Sequence, residues 1–436
     1  MRTIINMKYL LIAIVAVFGF VACNDAEDPI ENRVYFSESI GFTNTSLYVV
    51  PDGGMQVSVT PRIAQPIDKD MELEVYVKND ALETYNKTYG TTYQPMDANR
   101  YTIGNNKVVI PAGKVAGDPV IINLKALVPE ENKTGFTFAL PLAVRAINDG
   151  MPVLESASMY YYGSVPVPMA DVPQFTKYCT LKMPLSQDYE CAEWTFETLF
   201  NASYFTGASS NTWLASAAGY NAAGTAYGIA NGFMLRLGDS GVTGNRLNGR
   251  LQASTKVTAP ESSALKTNVW HHIAVVSGGG KVDVYIDGSW SYGGNADLDV
   301  AKFVKDQGIR LAGENRTGAN LSTGTRYRYA QVRLWSEART PDQLKNNMYG
   351  VPADSPNLIG YWKLDSYTEG KATVYKEDNK IDSGDTMEID TYFFKDYTGK
   401  NPDAFVDRNP TSNPAGLLFD TNKRIEIGYK YDGTKP

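Results

Sequence analysis

Short segments in which apolar and polar residues alternate are the feature that most restricts the fold of this chain. In Met71–Val77, the residues Leu73, Val75 and Val77 share one side of the segment, and Glu72 lies on the other. A period of two residues indicates a strand with one buried face. The chain also contains 28 Tyr and 38 Gly, which suits many short strands joined by tight turns. We therefore predict an all-β protein, and its 436 residues predict two or more domains.

Residues 1–22 have the pattern of a secretory signal peptide. Arg2 and Lys8 supply positive charge, and the apolar run Leu10–Val21 is shorter than the ~20 residues that a membrane-spanning helix needs. The run ends at Val21-Ala22-Cys23, which resembles a bacterial lipobox. The resemblance implies cleavage before Cys23, lipidation of its thiol, and contact with the membrane through that lipid only. Ordinary secretory cleavage with an incidental cysteine is the alternative.

Residues 23–32 form an acidic tether. Its segment Asn24–Asp28 resembles the surface-export signal of lipoproteins from glycan-degrading gut bacteria, which implies an outer-membrane protein facing the cell exterior. A purely solvated tether is the alternative. The net charge is −7 and no basic cluster dominates, which argues against nucleic acid as a partner, because phosphate binding requires clustered Lys and Arg.

Residues 33–165 combine alternating strands with one short helix, Asn79–Gly90, in which Leu82 and Tyr85 share a face. This helix, a Tyr-Thr strand and the turn Val109–Gly113 together resemble an uncharacterised immunoglobulin-like domain of gut-bacterial surface lipoproteins. The resemblance implies an N-terminal Ig-like β-sandwich and a glycan context, since a glycosidase or a binding module follows this domain in the family. The Pro-rich residues 166–176 are predicted to be an extended linker.

A succession of motifs in residues 177–436 resembles the laminin-G-like, concanavalin A-like jelly roll. These motifs are Ala192–Glu197, Gly232–Leu237, Val269–Val275, Val282–Gly288, Ala330–Trp335 and Leu358–Asp365. The resemblance implies a jelly-roll sandwich as the second domain, and Asp287-Gly288 independently predicts a hairpin turn. A polar insertion near residues 366–390 and a C-terminal extension depart from the family pattern.

Cys179 and Cys191 are placed symmetrically about Leu185. A hairpin centred there would set the two cysteines opposite each other, within disulfide reach. In an oxidising compartment we therefore predict a disulfide, with two buried free thiols as the alternative.

The sequence offers no catalytic set that fits a known mechanism. His271 and His272 are the only histidines, and neighbouring strand residues point to opposite faces, so at most one could serve any site. Glu193 and Glu197 share a face but would lie about 13 Å apart, beyond the roughly 5 Å of retaining and 6.5–9.5 Å of inverting glycosidases. No catalytic residue and no metal site are therefore predicted, and no cofactor. A structural calcium ion, held by Asp287 and Asp365 with Asp396 or Asp403, is the alternative.

The six tryptophans divide into two groups. Those that fall on core positions of the family pattern are predicted to pack inside the fold: Trp194, Trp270, Trp335 and Trp362. Trp213 and Trp290 lie outside that pattern, in segments rich in small residues. Because sugars stack on exposed aromatic rings, these two are candidate carbohydrate-binding residues, with Tyr220, Tyr227 and Tyr292 as lesser candidates.

These features favour a non-catalytic, cell-surface glycan-binding lipoprotein that binds a polysaccharide or other glycan. It would act beside an outer-membrane importer complex and its hydrolases, in a polysaccharide-utilisation system. One alternative is a surface adhesion or spacer protein that binds a protein partner, since laminin-G-like domains also do this. A glycosidase with an unfamiliar site is the second alternative.

Overall fold

The structure is a computed structural model. It describes residues 31–39, 44–148, 150–177, 179–205, 212–217, 219–220, 227–228, 233–238, 244–250, 256–296, 300–305, 308–313, 325–375, 385–408 and 417–428. The predicted signal peptide, Cys23 and most of the acidic tether lie outside these ranges. Among the described residues, no helix is both long enough and apolar enough to cross a bilayer.

Across the residues that the structure describes, the N-terminal domain contains eleven strands and two helices. The strands are β1 (Val34–Phe36), β2 (Thr45–Tyr48), β3 (Met55–Val59), β4 (Pro61–Ile63), β5 (Met71–Val77), β6 (Gln94–Pro95), β7 (Tyr101–Ile103), β8 (Lys107–Ile110), β9 (Val120–Leu124), β10 (Phe138–Ala146) and β11 (Met159–Ser164). The helices are α1 (Ala81–Tyr89) and α2 (Pro129–Thr134). Single 3-10 turns occur at Ser37–Ser39 and Ala98–Arg100.

Two sheets enclose the core of this domain, as expected for an Ig-like sandwich. One has the strand order β2-β11-β10-β5-β8, with β6 also paired to β10, and the other has the order β3-β9-β7. Leu73 and Val75 of β5 are fully buried between them, whereas Glu72 is exposed, so the alternation in this strand is confirmed. Helix α1 buries Leu82 and Tyr85 and ends at Gly90, whose φ of 62° is the left-handed conformation that glycine favours.

In the described part of the second domain lie the remaining strands and one α-helix. The strands are β12 (Met169–Phe175), β13 (Cys179–Met183), β14 (Tyr189–Cys191), β15 (Trp194–Ala202), β16 (Thr212–Ala217), β17 (Gly219–Tyr220), β18 (Tyr227–Gly228), β19 (Met234–Leu237), β20 (Leu247–Arg250), β21 (Lys256–Thr258), β22 (His271–Gly278), β23 (Lys281–Ile286), β24 (Ser289–Asn295), β25 (Ala301–Phe303), β26 (Ile309–Leu311), β27 (Tyr327–Trp335), β28 (Leu358–Trp362), β29 (Thr368–Tyr375), β30 (Thr386–Phe394), β31 (Ala404–Arg408) and β32 (Leu418–Arg424). Helix α3 is Pro341–Asn346, and a 3-10 turn lies at Glu261–Ser263.

These strands form a jelly-roll sandwich of two large sheets. One has the order β24-β23-β22-β15-β27-β12-β32, with β28 also paired to β27, and the other has the order β21-β20-β19-β16-β26-β13-β31-β30-β29. The four tryptophans predicted to be in the core are at most 1% exposed, which confirms that prediction. The all-β class and the order of the two folds are therefore confirmed.

The structure contradicts the linker predicted at residues 166–176. Most of that segment is strand β12, which pairs with β32 along much of its length and with the first residues of β27. The residues between β11 and β12 are also buried, with Val165 9% and Val167 6% exposed. Proline is tolerated here because each proline lacks one backbone N–H and so removes only one possible hydrogen bond between the strands. The two domains are thus joined without an exposed linker.

The predicted disulfide is also contradicted, because Cys179 and Cys191 are free thiols. The strands that carry them do not pair with each other: Cys179 lies opposite Arg408 of β31, and Cys191 lies opposite Ala301 of β25. Burial raises the pKa of both thiols, that of Cys191 to about 11. Both cysteines are core residues rather than a cross-link.

The C-terminal part adds strands to both sheets. β29 and β30 form a hairpin that occupies much of the predicted polar insertion and extends the nine-stranded sheet, whereas β32 forms the edge of the other sheet. The turn between β30 and β31 is organised by Asp396, whose carboxylate accepts hydrogen bonds from the backbone N–H groups of Tyr361, Thr398 and Asn401. This single buried carboxylate fixes the loop to β28.

Candidate functional site

Trp290 lies on the hairpin of β23 and β24, at the free edge of the eight-stranded sheet. The predicted turn is present: Asp287 and Gly288 have φ angles of 52° and 74°, and Ile286 pairs with Ser289. Two consecutive positive φ angles are typical of the type I′ turn, whose twist matches that of a two-stranded ribbon. The turn therefore fixes where β24 begins relative to β23.

The side chain of Trp290 is 61% exposed, yet its indole is held in place. The Nε1–H group donates a hydrogen bond of 2.9 Å to Oδ1 of Asp283 on the neighbouring strand. Gly293 leaves room for that carboxylate, because a Cβ at this position would lie 1.9 Å from Asp283 Oδ1. Trp290, Asp283 and Gly293 are called the Trp290 surface below. It presents an aromatic ring to solvent in a fixed orientation.

A bulge in β24 decides which aromatic side chain faces outward. Val284 pairs with Tyr292, and the next residue, Tyr285, pairs with Trp290, so Ser291 is the extra residue. Val284 belongs to the sandwich core, and Tyr285 packs on the outer face under helix α3. The structure therefore contradicts Tyr292 as a sugar-binding candidate: it is 6% exposed, and burial raises the pKa of its hydroxyl.

Trp213 lies elsewhere, on β16 near the middle of the nine-stranded sheet. Its side chain is half-buried, and the guanidinium of Arg236 from β19 lies 4.7 Å from the ring centroid. Trp213 and Trp290 therefore belong to different sheets of the sandwich. Tyr220 and Tyr227 pair with each other in the short strands β17 and β18, and their side chains lie outside what the structure describes.

Both histidines serve the fold, on opposite sides of the start of β22. His271 Nε2 accepts a hydrogen bond of 3.1 Å from the backbone N–H of Lys266, so Nδ1 carries the proton and donates to Asp287 Oδ2 at 2.9 Å. His272 lies 2.9 Å, through Nε2, from Oε2 of Glu197. The partners of both histidines are groups of the same domain that hold neighbouring segments together.

Glu197 is the centre of a buried ionic cluster that the sequence analysis did not identify. The side chains of Glu197, His272 and Arg333 are 0% exposed, and that of Arg339 is 4% exposed. Arg333 Nη2 lies 3.1 Å from one carboxylate oxygen, and Arg339 Nε lies 3.3 Å from the other. Burial alone would raise the pKa of Glu197, but the Arg333 charge, the His272 hydrogen bond and the Arg339 charge together lower it to about 2.

This cluster decides whether Glu193 and Glu197 could act as a catalytic pair. Glu193 is exposed just before β15, whereas Glu197 has no contact with solvent and is held as a carboxylate by two guanidinium groups. A general acid needs a raised pKa, and a nucleophile needs access to substrate. Glu197 therefore meets neither requirement. The sequence signal for the cluster is one charged residue within each of two mostly apolar strand segments, Glu197 and Arg333, and the structure sets these two directly opposite each other.

The aspartates considered for calcium each bind protein groups instead. Asp287 accepts the His272 backbone N–H, Asp365 accepts the Tyr397 hydroxyl, and Asp403 accepts the Asp396 backbone N–H. Among the residues that the structure describes, no group of three or more His, Cys, Asp or Glu side chains is placed to hold a metal ion.

Comparison with protein families confirms the two-domain order. A laminin-G family model, described as the concanavalin A-like lectin/glucanases superfamily, matches residues 189–345. A second model, described as an N-terminal domain, matches residues 30–151. No curated protein matches the sequence.

Several solved structures resemble the chain weakly. A Bacteroides ovatus protein, provisionally described as carbohydrate binding, is 21% identical over 91% of this chain and 99% of its own, with a TM-score of 0.47. EndoBT-3987 from Bacteroides thetaiotamicron, solved with a Man5GlcNAc product, is 18% identical over 30% of each chain (TM-score 0.24). A heptameric pentraxin from Limulus polyphemus is 12% identical over 55% of this chain and 94% of its own (TM-score 0.30). Scores this low support no argument about ligands.

Proposed function

From the laminin-G-like, concanavalin A-like domain at residues 189–345, we propose that the protein binds glycans through the Trp290 surface. The observation that carries this proposal is a tryptophan that is 61% exposed and yet oriented by a hydrogen bond to Asp283. An exposed indole ring presents an apolar face from which a partner can favourably displace water. A pyranose ring does so with its C–H face, while its hydroxyls bond to neighbouring polar groups. The Asp283 carboxylate lies beside the ring and can accept such hydroxyls.

In this proposal the protein binds its glycan without hydrolysing it. Hydrolysis needs two carboxyl groups that flank the scissile bond, one of them with a raised pKa. The buried Glu197 is unsuited to either role, and the Trp290 surface contributes the single carboxylate of Asp283, already bonded to the indole. These observations favour a binding module over the glycosidase alternative.

Trp290→Ala tests the proposal. A glycan array identifies the bound class, and calorimetry with the best binder then compares variants. Loss of a stacking ring should cost about 1–3 kcal/mol, which is roughly a ten- to hundredfold loss of affinity, with an unchanged melting temperature. Tyr204→Ala is the matched control, because Tyr204 is an aromatic residue with similar exposure, 57%. Equal affinities for the parent and Trp290→Ala would refute this site.

We also propose that Cys23 is lipidated and holds the protein at the outer membrane, beside a glycan importer complex and its hydrolases. The support is the lipobox-like Val21-Ala22-Cys23 and the acidic segment that follows it. Cys23→Ser should move the protein from the membrane fraction to the soluble fraction. A variant that still sediments with membranes would show that another part of the protein is responsible.

A further inference from the structure

A cleft of about 260 Å³ lies where the two domains meet. Gly90, Thr91 and Thr92, which follow helix α1, form the wall from the N-terminal domain. The opposite wall comes from the end of β27 and from the segment around α3. The walls are in contact at one side, because a Cβ on Gly90 would lie 3.1 Å from Nε2 of Gln343. The cleft exists only in the two-domain protein.

The floor of the cleft carries a fixed pair of charges. Arg339 stacks on Trp335, with its guanidinium carbon 3.9 Å from the ring centroid, and Nη1 donates to Glu337 Oε1 at 3.2 Å. Asn357 donates a hydrogen bond of 2.8 Å to the other Glu337 oxygen. The Glu337 side chain is nevertheless 25% exposed. Both groups line the cleft, so it offers oriented donors and an oriented acceptor before any ligand arrives.

The charges around the cleft balance. Arg339 and Glu337 are the two charged residues in its lining, and they are paired with each other, so the lining itself favours neither an anion nor a cation. An apolar ligand would cover the Glu337 carboxylate without hydrogen-bonding to it, which is costly. The chemistry that fits is a neutral molecule with both donors and acceptors.

We propose that this cleft binds one neutral sugar residue, which contacts both domains at once. Its volume is below the roughly 300–1,000 Å³ of pockets for drug-sized ligands, which suits a single ring rather than an oligosaccharide. Domain junctions are also a common location for small-ligand sites. Hydroxyl groups bond to Arg339 and Glu337, and the C–H face of the ring lies against Val351 and Pro352. The choice of a sugar among neutral polyols rests on the proposed function, whereas the cleft itself does not.

Saturation-transfer NMR on the full chain tests this site, with the methyl glycosides of glucose, galactose, mannose and N-acetylglucosamine as probes. Thr92→Trp fills the mouth of the cleft from an exposed position, and Glu337→Gln removes its charged acceptor. Thr386→Trp adds the same ring at an exposed position on β30 and serves as the matched control. At least one probe should give a signal that falls severalfold in the first two variants and is unchanged in the control.

The Trp290→Ala variant separates this inference from the proposed function. The probe signal should persist in Trp290→Ala, and polysaccharide binding at the Trp290 surface should persist in Thr92→Trp. The inference is overturned if no probe binds the parent, if Thr92→Trp retains the full signal, or if the signal disappears in Trp290→Ala alone. A melting curve for each variant excludes unfolding as the cause of a lost signal.

Discussion

Glu197 occupies a strand position where its charge must be compensated by protein groups, because no part of it reaches water. Three partners from separate elements provide this: His272 from β22, Arg333 from β27, and Arg339 just beyond β27. Arg333 also donates to the backbone carbonyl oxygen of Asn347 at 2.6 Å, which ties the cluster to the segment that covers it. The cluster therefore attaches the outer segment of residues 336–357 to the sheet.

We predict that Glu197→Gln strongly destabilises the fold, because it leaves the buried guanidinium of Arg333 without a counter-charge and removes one of the two carboxylates that Arg339 contacts. The expected loss is about 3–5 kcal/mol of unfolding free energy, measured by urea denaturation. Glu193→Gln, an exposed neighbour, is the control and should change stability by less than about 0.5 kcal/mol. A loss of similar size in both variants would show that the cluster has no special role.

The same carboxylate predicts a pH dependence. Its pKa falls from the ordinary 4.5 to about 2 on folding, so the unfolded chain binds the proton more readily than the folded chain. Its stabilisation is therefore complete above about pH 4.5 and is lost as the pH falls towards 2. In Glu197→Gln this part of the acid dependence should be absent. Parallel curves of stability against pH for the parent and the variant would contradict the assignment.

At the level of elements, the β23–β24 hairpin shows what a local pattern can and cannot determine. The Asp287-Gly288 turn was predicted from two residues, because few sequences tolerate two consecutive positive φ angles. The bulge at Ser291 was not predicted, because it depends on how Trp290 and Tyr292 pack against the neighbouring strand and the core. In a regular strand Trp290 and Tyr292 would share a face, and the one extra residue places them on opposite faces.

Gly288→Ala should destabilise this hairpin more than the same substitution does at a left-handed glycine that has open space around it. A left-handed alanine costs about 1–2 kcal/mol in itself. At Gly288 the new Cβ would also lie 2.9 Å from the Cα of Lys345, so helix α3 must move. Gly279→Ala is the matched control, because its φ is 58° and its Cβ would have no neighbour within 4 Å. Gly288→Ala should exceed the control by at least about 1 kcal/mol in urea denaturation. Equal losses would mean that α3 does not restrain the turn.

Patterns within one segment were predicted well, and pairings between distant segments were not. The alternation of β5 and the short helix α1 follow from neighbouring residues, and both are present. The disulfide assumed that β13 pairs with β14, but each pairs with strands far along the chain. Trp290 was identified as a candidate because it fits no core position, whereas its partner Asp283 depends on a register that alternation does not specify.

At the level of the whole molecule, the two domains share a continuous packed junction. Leu47 and Val49 of the N-terminal domain pack against a cluster that includes Val172 of β12 and Tyr349. The backbone N–H of Val167 donates a hydrogen bond of 3.2 Å to the Asn132 side chain. These contacts are expected to hold the jelly roll in one orientation relative to the N-terminal domain.

We predict that a chain starting at Lys177 does not fold stably, whereas one starting at Pro166 does. The shorter chain lacks β12, so β32 loses its partner and the edge of β27 is uncovered. Circular dichroism melting and size-exclusion chromatography of both chains measure this. If both chains are equally stable monomers, β12 is dispensable for folding and residues 166–176 act as a linker after all.

The pairing of β12 with β32 also determines the order in which parts of the chain can fold during synthesis. The first strand of the jelly roll is completed by β32, far along the chain, with Met169 opposite Arg424. A chain synthesised from its N-terminus therefore cannot close this sheet until β32 has emerged. Until then β12 has an open edge, and closing so long a loop is slow. The N-terminal domain, whose strands pair among themselves, can fold much earlier.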